Sequence, residues 1–147
     1  MKPEVLLLNQ DNLLAEQKEF ASLDLKHITV EEVELFGGRT NLFIFNKDGI
    51  CQGICIWFAV EFPDGSSELS TAPYYEPTHW KQTVVVLPRI EDRKFEIDRK
   101  VKEKEFIAFK LGLKRDASNP RRYNIQLNLI DVENSPINIW DVLATLL

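Results

Sequence analysis

Between Ile54 and Phe62, apolar side chains recur at every second position. Ile54, Ile56, Phe58, Val60 and Phe62 make one set, and Cys55, Trp57, Ala59 and Glu61 make the other. A period of two puts successive side chains on opposite faces of a strand, whereas a helix repeats near 3.6. The second set stays apolar until Glu61, so the run predicts a strand buried on both faces along much of its length. Two later runs alternate in the same way. Ile107, Phe109, Leu111 and Leu113 share one side of the first. In the second, Tyr123, Ile125, Leu127 and Leu129 oppose Asn124, Gln126 and Asn128, the pattern of a half-exposed strand.

Turn residues divide these runs. Leu42-Phe43-Ile44-Phe45 precedes Asn46-Lys47-Asp48-Gly49, and an Asp-Gly pair adopts the positive φ angles of a hairpin. An antiparallel pair is predicted across it. Pro63-Asp64-Gly65-Ser66-Ser67 predicts a second turn, with a return strand from Glu68 to Thr71. Gln82 to Leu87 is β-branched and ends at Pro88, and Asn119-Pro120-Arg121-Arg122 turns the chain before its last alternating run. Gly37-Gly38 reads as a turn before Arg39. Helix is scarce. Asp11 to Phe20 predicts one or two turns capped by Asp11, and Ser135-Pro136 suits the start of a short C-terminal helix, a terminal strand being the alternative.

About seven to nine strands joined by turns predict an all-β fold, an antiparallel β-barrel with short helical segments at most at the ends. A barrel-like sandwich is the alternative, because periodicity does not separate the two. A barrel leaves no edge strand exposed to pairing with another chain. The expected organisation is one barrel over residues 4–133 and a tail over 134–147. Trp140, Leu143, Leu146 and Leu147 in that tail would cover the barrel.

Bulk properties narrow the classes of function. The chain has 147 residues, enough for one domain with its own core. Its net charge is −5 and its pI about 5.1, without the basic face that direct nucleic-acid binding requires. The charged stretch from Glu91 to Glu105 mixes both signs. Mild acidity can attract arginine-rich partners, or it can serve solubility alone. No apolar run approaches the ~20 residues of a membrane span. The N-terminus turns polar too soon for a signal peptide, so cytoplasm or nucleus is the expected location. Cys51 and Cys55, if on one straight strand, would lie about 13 Å apart, too far for a disulfide. They are expected to be thiols. Two cysteines and two histidines without recognisable spacing offer no metal site.

No glycine-rich cofactor loop and no Gly-x-Ser-x-Gly elbow is present, so catalysis by this chain alone is not expected. Chemistry gathers instead at Ser70-Thr71-Ala72-Pro73-Tyr74-Tyr75-Glu76-Pro77-Thr78-His79-Trp80-Lys81-Gln82-Thr83. Pro73 and Pro77 stiffen this loop. His79 can pair with a carboxylate, and the face of Trp80 attracts a guanidinium. The alternative is that Tyr74, Tyr75 and Trp80 are packing residues and His79 a surface histidine.

The order of these segments resembles the C-terminal β-barrel of the protein arginine N-methyltransferases. Trp57-Phe58-Ala59-Val60-Glu61-Phe62 is followed by Leu69-Ser70-Thr71-Ala72-Pro73 and then by Thr78-His79-Trp80-Lys81-Gln82-Thr83. Leu14-Ala15-Glu16 and Leu23-Asp24-Leu25 are similar to the segment leading into that barrel, and Asn119-Pro120-Arg121-Arg122 to a late hairpin. The likeness covers roughly residues 4 to 130, and the Thr-His-Trp-Lys-Gln block is its specific part.

The resemblance implies a role in moving a methyl group from S-adenosylmethionine to a guanidinium nitrogen. His79 would pair with an acidic residue of the donor-binding domain, and Trp80 would wall the arginine pocket. Both would be accessory, with Thr78, Tyr74 and Tyr75 contacting substrate. The glycine-rich donor site, the paired glutamates that grip the guanidinium and the dimerisation arm are not found. No cofactor is expected on this chain itself. The expected partners are a donor-binding domain, in the same or a separate chain, and an arginine-rich protein or peptide. Membrane and nucleic-acid partners are not expected, and the isolated domain is expected to be a monomer. A stand-alone binding or regulatory barrel is the alternative, and a generic sandwich with Trp80 in its core is a third reading.

Overall fold

A computed structural model describes residues 3–65, 67–87 and 99–130. In chain order the strands are β1 (Glu4–Leu6), β2 (Leu35–Ile44), β3 (Gly49–Cys51), β4 (Gly53–Ile56), β5 (Ala59–Glu61), β6 (Glu68–Ser70), β7 (Gln82–Val86), β8 (Arg99–Val101), β9 (Phe106–Arg115) and β10 (Tyr123–Ile130). One α-helix, α1, spans Val30–Glu34, and a single 3-10 turn spans Gln10–Asn12. Every strand pairing is antiparallel, which bears out the all-β class. The pairings form four separate sheets, of orders β1-β7-β4, β10-β9-β2, β3-β8 and β5-β6. The chain divides into two compact units, residues 1–14 with 46–103, and residues 15–45 with 104–147. Among the described residues no helix is long and apolar enough to cross a membrane.

In the first unit β7 is central, between β1 (Val5↔Thr83) and β4 (Ile54↔Val85). Its β-branched run Thr83-Val84-Val85-Val86 suits a strand with neighbours on both sides, and Val85 is among the most buried side chains. β5 and β6 form the hairpin predicted around Pro63-Asp64-Gly65, with Ala59 opposite Ser70. The predicted strand over 54–62 is not continuous. It breaks at Trp57-Phe58, so that β4 pairs with β7 while β5 pairs with β6. The cause is Thr71. Its hydroxyl accepts from Phe58 N at 3.2 Å and donates to Phe58 O at 3.2 Å, and its own N–H donates to Phe58 O at 3.0 Å. The backbone of Phe58 is thus bound by a side chain at the point where the ladder stops. Phe58 and Phe62, expected in the core, are exposed.

The Asp48-Gly49 hairpin is also not formed. β2 pairs with β9 and β3 with β8, so the runs flanking the dipeptide go to different sheets. Asp48 Oδ1 accepts from Glu103 N at 2.9 Å. Gly49 meets a packing need, since a Cβ there would lie 2.5 Å from the Leu14 side chain.

The second unit is built on β9, which lies between β10 and β2. Ile107, Ala108, Phe109 and Leu111 of β9 are buried, with Leu42 and Phe45. β10 has the expected half-exposed pattern: Ile125, Leu127 and Leu129 are half-buried, while Asn124, Gln126 and Asn128 are exposed. The Asn119–Arg122 turn closes the β9–β10 hairpin around Asp116. Its Oδ1 accepts from the Ser118 hydroxyl at 2.6 Å and from the N–H groups of Ser118 and Asn119, and its Oδ2 accepts from Asn124 Nδ2 at 3.1 Å. These bonds, the Ser118 hydroxyl foremost, hold the Asp116 carboxyl down at about 2.

Gly37-Gly38, read from sequence as a turn, is a bulge inside β2, where the register with β9 shifts between Gly37 and Thr40. Both residues have positive φ, 81° and 86°. The expected helix over Asp11–Phe20 reduces to the turn at Gln10–Asn12, capped by Asn9. Beyond it Leu13 is extended, and Ala15 bridges to Phe45, so a long-range pairing overrides local helix preference. The one α-helix among the described residues is started by a Thr29–Glu32 capping box. Arg115 bonds Glu34 at 2.6 Å and the Tyr123 hydroxyl donates to Val33 O at 2.9 Å, which ties α1 to β9 and β10. The expected tail over 134–147, its helix and the stop at Pro88 lie outside the described residues.

Two outcomes test this unit. A Cβ on Gly37 would sit 2.8 Å from Leu111 O and 2.9 Å from the Phe20 ring, whereas one on Gly38 meets nothing within 4 Å. Gly37→Ala is therefore expected to cost about 1–3 kcal/mol in chemical denaturation, and Gly38→Ala less, because only its backbone strain remains. Asp116, whose folded pKa lies below its ordinary value, adds stability that is present above about 3.8 and is lost as pH falls through about 2. Melting temperatures followed into acid should show a shallower fall for Asp116→Asn than for the unaltered chain.

Candidate functional site

The loop between β6 and β7 leaves the interior in two steps. Thr71, Ala72 and Pro73 are buried, and Ala72 N donates to Ser70 Oγ at 3.2 Å. A first turn then brings Tyr75 N onto Ala72 O at 3.1 Å, and from Tyr74 on the chain runs along the surface. A second turn spans Thr78 to Lys81, with Lys81 N donating to Thr78 O at 3.2 Å. Lys81 closes it in a left-handed conformation, φ 57°, which is uncommon for a residue with a Cβ. Gln82 re-enters the interior as the first residue of β7. Its Oε1 accepts from Leu8 N at 2.8 Å and its Nε2 donates to Thr71 O at 2.7 Å.

These turns present the aromatic residues singled out from the sequence. Trp57 meets Tyr74 edge-on at 6.2 Å, and Tyr74 contacts Tyr75 at 5.1 Å. Phe58 meets Trp80 edge-on at 6.0 Å, and the His79 imidazole lies over Trp80 at 4.0 Å and 34°. Trp80 is 49% exposed and Tyr75 52%, so neither is a core residue, contrary to the generic-sandwich reading. Trp80 is thus packed edge-on against Phe58 and under the tilted His79 ring, with about half of its surface exposed.

His79 is exposed and has no carboxylate partner among the described residues. His27 is different, since its Nδ1 lies 2.7 Å from Asp24 Oδ2, a bond that holds the Asp24 carboxyl below its ordinary range. Thr78 is half-buried, and its hydroxyl oxygen is buried without a hydrogen-bond partner among the described residues. The structure thus brings Thr78, His79 and Trp80 onto one turn, with Tyr74 and Tyr75 on the preceding one. The sequence reading named Gln82 and Thr71 only as parts of a motif. The signal for Gln82 was a polar residue heading a β-branched strand.

The cysteines do not share a strand. Cys51 ends β3 and Cys55 lies in β4, and the two form no disulfide. Burial pushes the Cys55 thiol up to about 11, so it is protonated at neutral pH and a poor nucleophile. Among the described residues no group of three or more His, Cys, Asp or Glu side chains is placed to hold a metal ion.

Comparison with known proteins supplies the context. The family model of the arginine methyltransferase oligomerization subdomain matches residues 1–131. Protein arginine N-methyltransferase 6 of Xenopus tropicalis is 34% identical over 125 residues, which are 84% of this chain and 34% of that protein. Protein arginine N-methyltransferase 2 of Homo sapiens is 30% identical over 86 residues, 55% of this chain and 20% of that protein. A crystal structure of protein arginine methyltransferase 6 superposes with a TM-score of 0.69 at 26% identity, covering 87% of this chain and 41% of that one. The Trypanosoma brucei arginine methyltransferase 1 enzyme–prozyme heterotetrameric complex with AdoHcy has the same fold at a TM-score of 0.69 and 21% identity, over 86% of this chain and 38% of that one. This chain spans about a third of the length of the first of these relatives.

The Thr78 hydroxyl generates a prediction. An unpartnered buried hydroxyl costs free energy that a methyl group of similar shape does not, so Thr78→Val should be neutral or stabilising, by up to about 1–2 kcal/mol. Urea denaturation checks this. A loss of more than about 1 kcal/mol would mean that the hydroxyl is hydrogen-bonded in solution.

Proposed function

Given that the chain belongs to the protein arginine methyltransferase family, whose C-terminal oligomerization subdomain it matches, we propose that it is the substrate-side part of an S-adenosylmethionine-dependent arginine methyltransferase. On this reading the turn from Thr78 to Trp80 is one wall of the pocket for the substrate arginine. The observation that carries it is the Thr78–Lys81 turn itself, which holds Trp80 half exposed between Phe58 and His79 while His79 has no acidic partner among the described residues.

Each residue then has a physical task. The open face of Trp80 attracts the guanidinium by a cation–π contact of about 0.5–2 kcal/mol, more where water is excluded. His79 pairs with a carboxylate of the donor-binding domain and so registers the two parts of the active site. Tyr74 and Tyr75 offer hydroxyls and ring faces to the peptide around the arginine, and half-buried Thr78 opens the turn that presents His79 and Trp80. The net charge of −5 favours encounter with a basic peptide.

On this reading the methyl donor binds to the donor-binding domain. None of the six glycines immediately precedes α1, so among the described residues no glycine-rich loop opens onto an α-helix N-terminus. The donor and the groups that grip the guanidinium are assigned to the donor-binding domain. Methyl transfer therefore needs that domain, in the same or a separate chain.

Methyl transfer to an arginine–glycine-rich peptide is the test. The 147-residue chain alone should transfer no labelled methyl. In an enzyme that joins it to a donor-binding domain, His79→Ala and Trp80→Ala should each lower kcat/KM at least about tenfold, a loss of about 1.4 kcal/mol. Neither should shift the melting temperature by more than about 2 °C, since both side chains are exposed. Unchanged kcat/KM in both variants, or turnover by the chain alone, would overturn the proposal. Peptide binding without any turnover in the joined protein would favour a stand-alone binding module.

A further inference from the structure

The buried amide of Gln82 lies at the base of the Thr-His-Trp turn and binds two separate backbone segments. It is 3% exposed and uses both ends of its amide, accepting from Leu8 N at 2.8 Å and donating to Thr71 O at 2.7 Å. Leu8 follows β1, Thr71 follows β6, and Gln82 begins β7. Thr71 in turn binds both backbone groups of Phe58, whose ring meets Trp80. Two routes therefore run from Trp80 to Gln82. One passes along the chain through Lys81, and the other passes through Phe58 and Thr71.

We infer that Gln82 is a positioning residue, which sets the orientation of Trp80 and His79 through this closed circuit. The functional part of the inference rests on the reading of that turn as a wall of the arginine pocket. The conformation of Lys81 is the second observation behind it. A left-handed φ at a residue with a Cβ persists only where the surroundings impose it. Lys81 stands between an exposed turn and the buried Gln82, so the anchor that imposes this backbone geometry is the bonded amide. Gln82 touches no substrate. It acts by keeping the turn closed.

Only a group that donates and accepts at once satisfies both Leu8 N and Thr71 O. Methionine has a similar length and does neither. A protonated glutamic acid does both, because its carbonyl oxygen accepts and its O–H donates, whereas the ionised carboxylate cannot donate to Thr71 O. Burial raises the pKa of such a carboxyl, so Gln82→Glu converts the anchor into one that works in acid and fails as the acid ionises.

The test uses the indole N–H resonance of Trp80 in the 147-residue chain, assigned by its loss in Trp80→Phe. In Gln82→Met, well below its melting transition, this resonance should shift or broaden while the amides of Val85 and Leu111 stay in place. Gln82→Glu should resemble Gln82→Met at high pH and return toward the unaltered chain on acidification, after subtraction of the unaltered chain's own pH response. A Trp80 resonance that is unmoved in both variants, with only a lower melting temperature, would overturn the inference. If Gln82→Met does not fold, the acid limb of Gln82→Glu decides alone. A resonance with no reversible, variant-specific pH response would then reject the inference. In the joined enzyme, Gln82→Met should lower kcat/KM for the peptide at least about tenfold. If His79→Ala and Trp80→Ala both leave that activity intact, the pocket reading fails while the resonance still judges the positioning role. If Trp80→Ala removes activity and the resonance does not move, the positioning role fails alone.

Discussion

The hydrogen bonds of Thr71 are the constraint on which the first unit depends. A strand that stops must still satisfy its backbone groups, because a buried N–H or C=O without a partner costs about 1–3 kcal/mol. Thr71, 2% exposed, meets this need at Phe58 with a hydroxyl that donates and accepts and with its own N–H. Its carbonyl is taken by Gln82. With these bonds in place β4 can end at Ile56, β5 can start at Ala59 with a new partner, and the loop after β6 can leave the sheet.

Aromatic residues next to that break are exposed. A continuous strand from Ile54 to Phe62 would have directed Phe58 and Phe62 inward. The break leaves Phe58 at the surface, where its edge supports Trp80. Half-exposed rings are poor use of apolar area for folding alone, because each loses part of the transfer free energy that full burial would supply. They lie beside a histidine that has no carboxylate partner among the described residues.

How much was legible from sequence depended on the range of the interactions. The alternation at 106–113 and 123–129 foretold β9 and β10, because each pattern is local and one face must meet the core. The turns at Pro63–Gly65 and Asn119–Arg122 were also readable, since proline, aspartate and asparagine act on their own backbone. Asp48-Gly49 misled for the opposite reason. The dipeptide suits a hairpin, yet its aspartate bonds Glu103 and its glycine makes room for Leu14. Gly37-Gly38 carried the right signal, positive φ, and the wrong context, because a bulge and a turn ask the same of glycine.

By itself the sequence determined that the chain would be built of antiparallel strands. That follows from residue type and spacing alone. Which strands pair, where the run from Ile54 to Phe62 breaks, and whether Trp80 faces the core or the solvent were decided only by tertiary structure. Those outcomes turn on bonds between residues far apart in sequence, such as Gln82 to Leu8 and Arg115 to Glu34. A period-two pattern states that a strand has two faces. It does not state which neighbour satisfies its backbone.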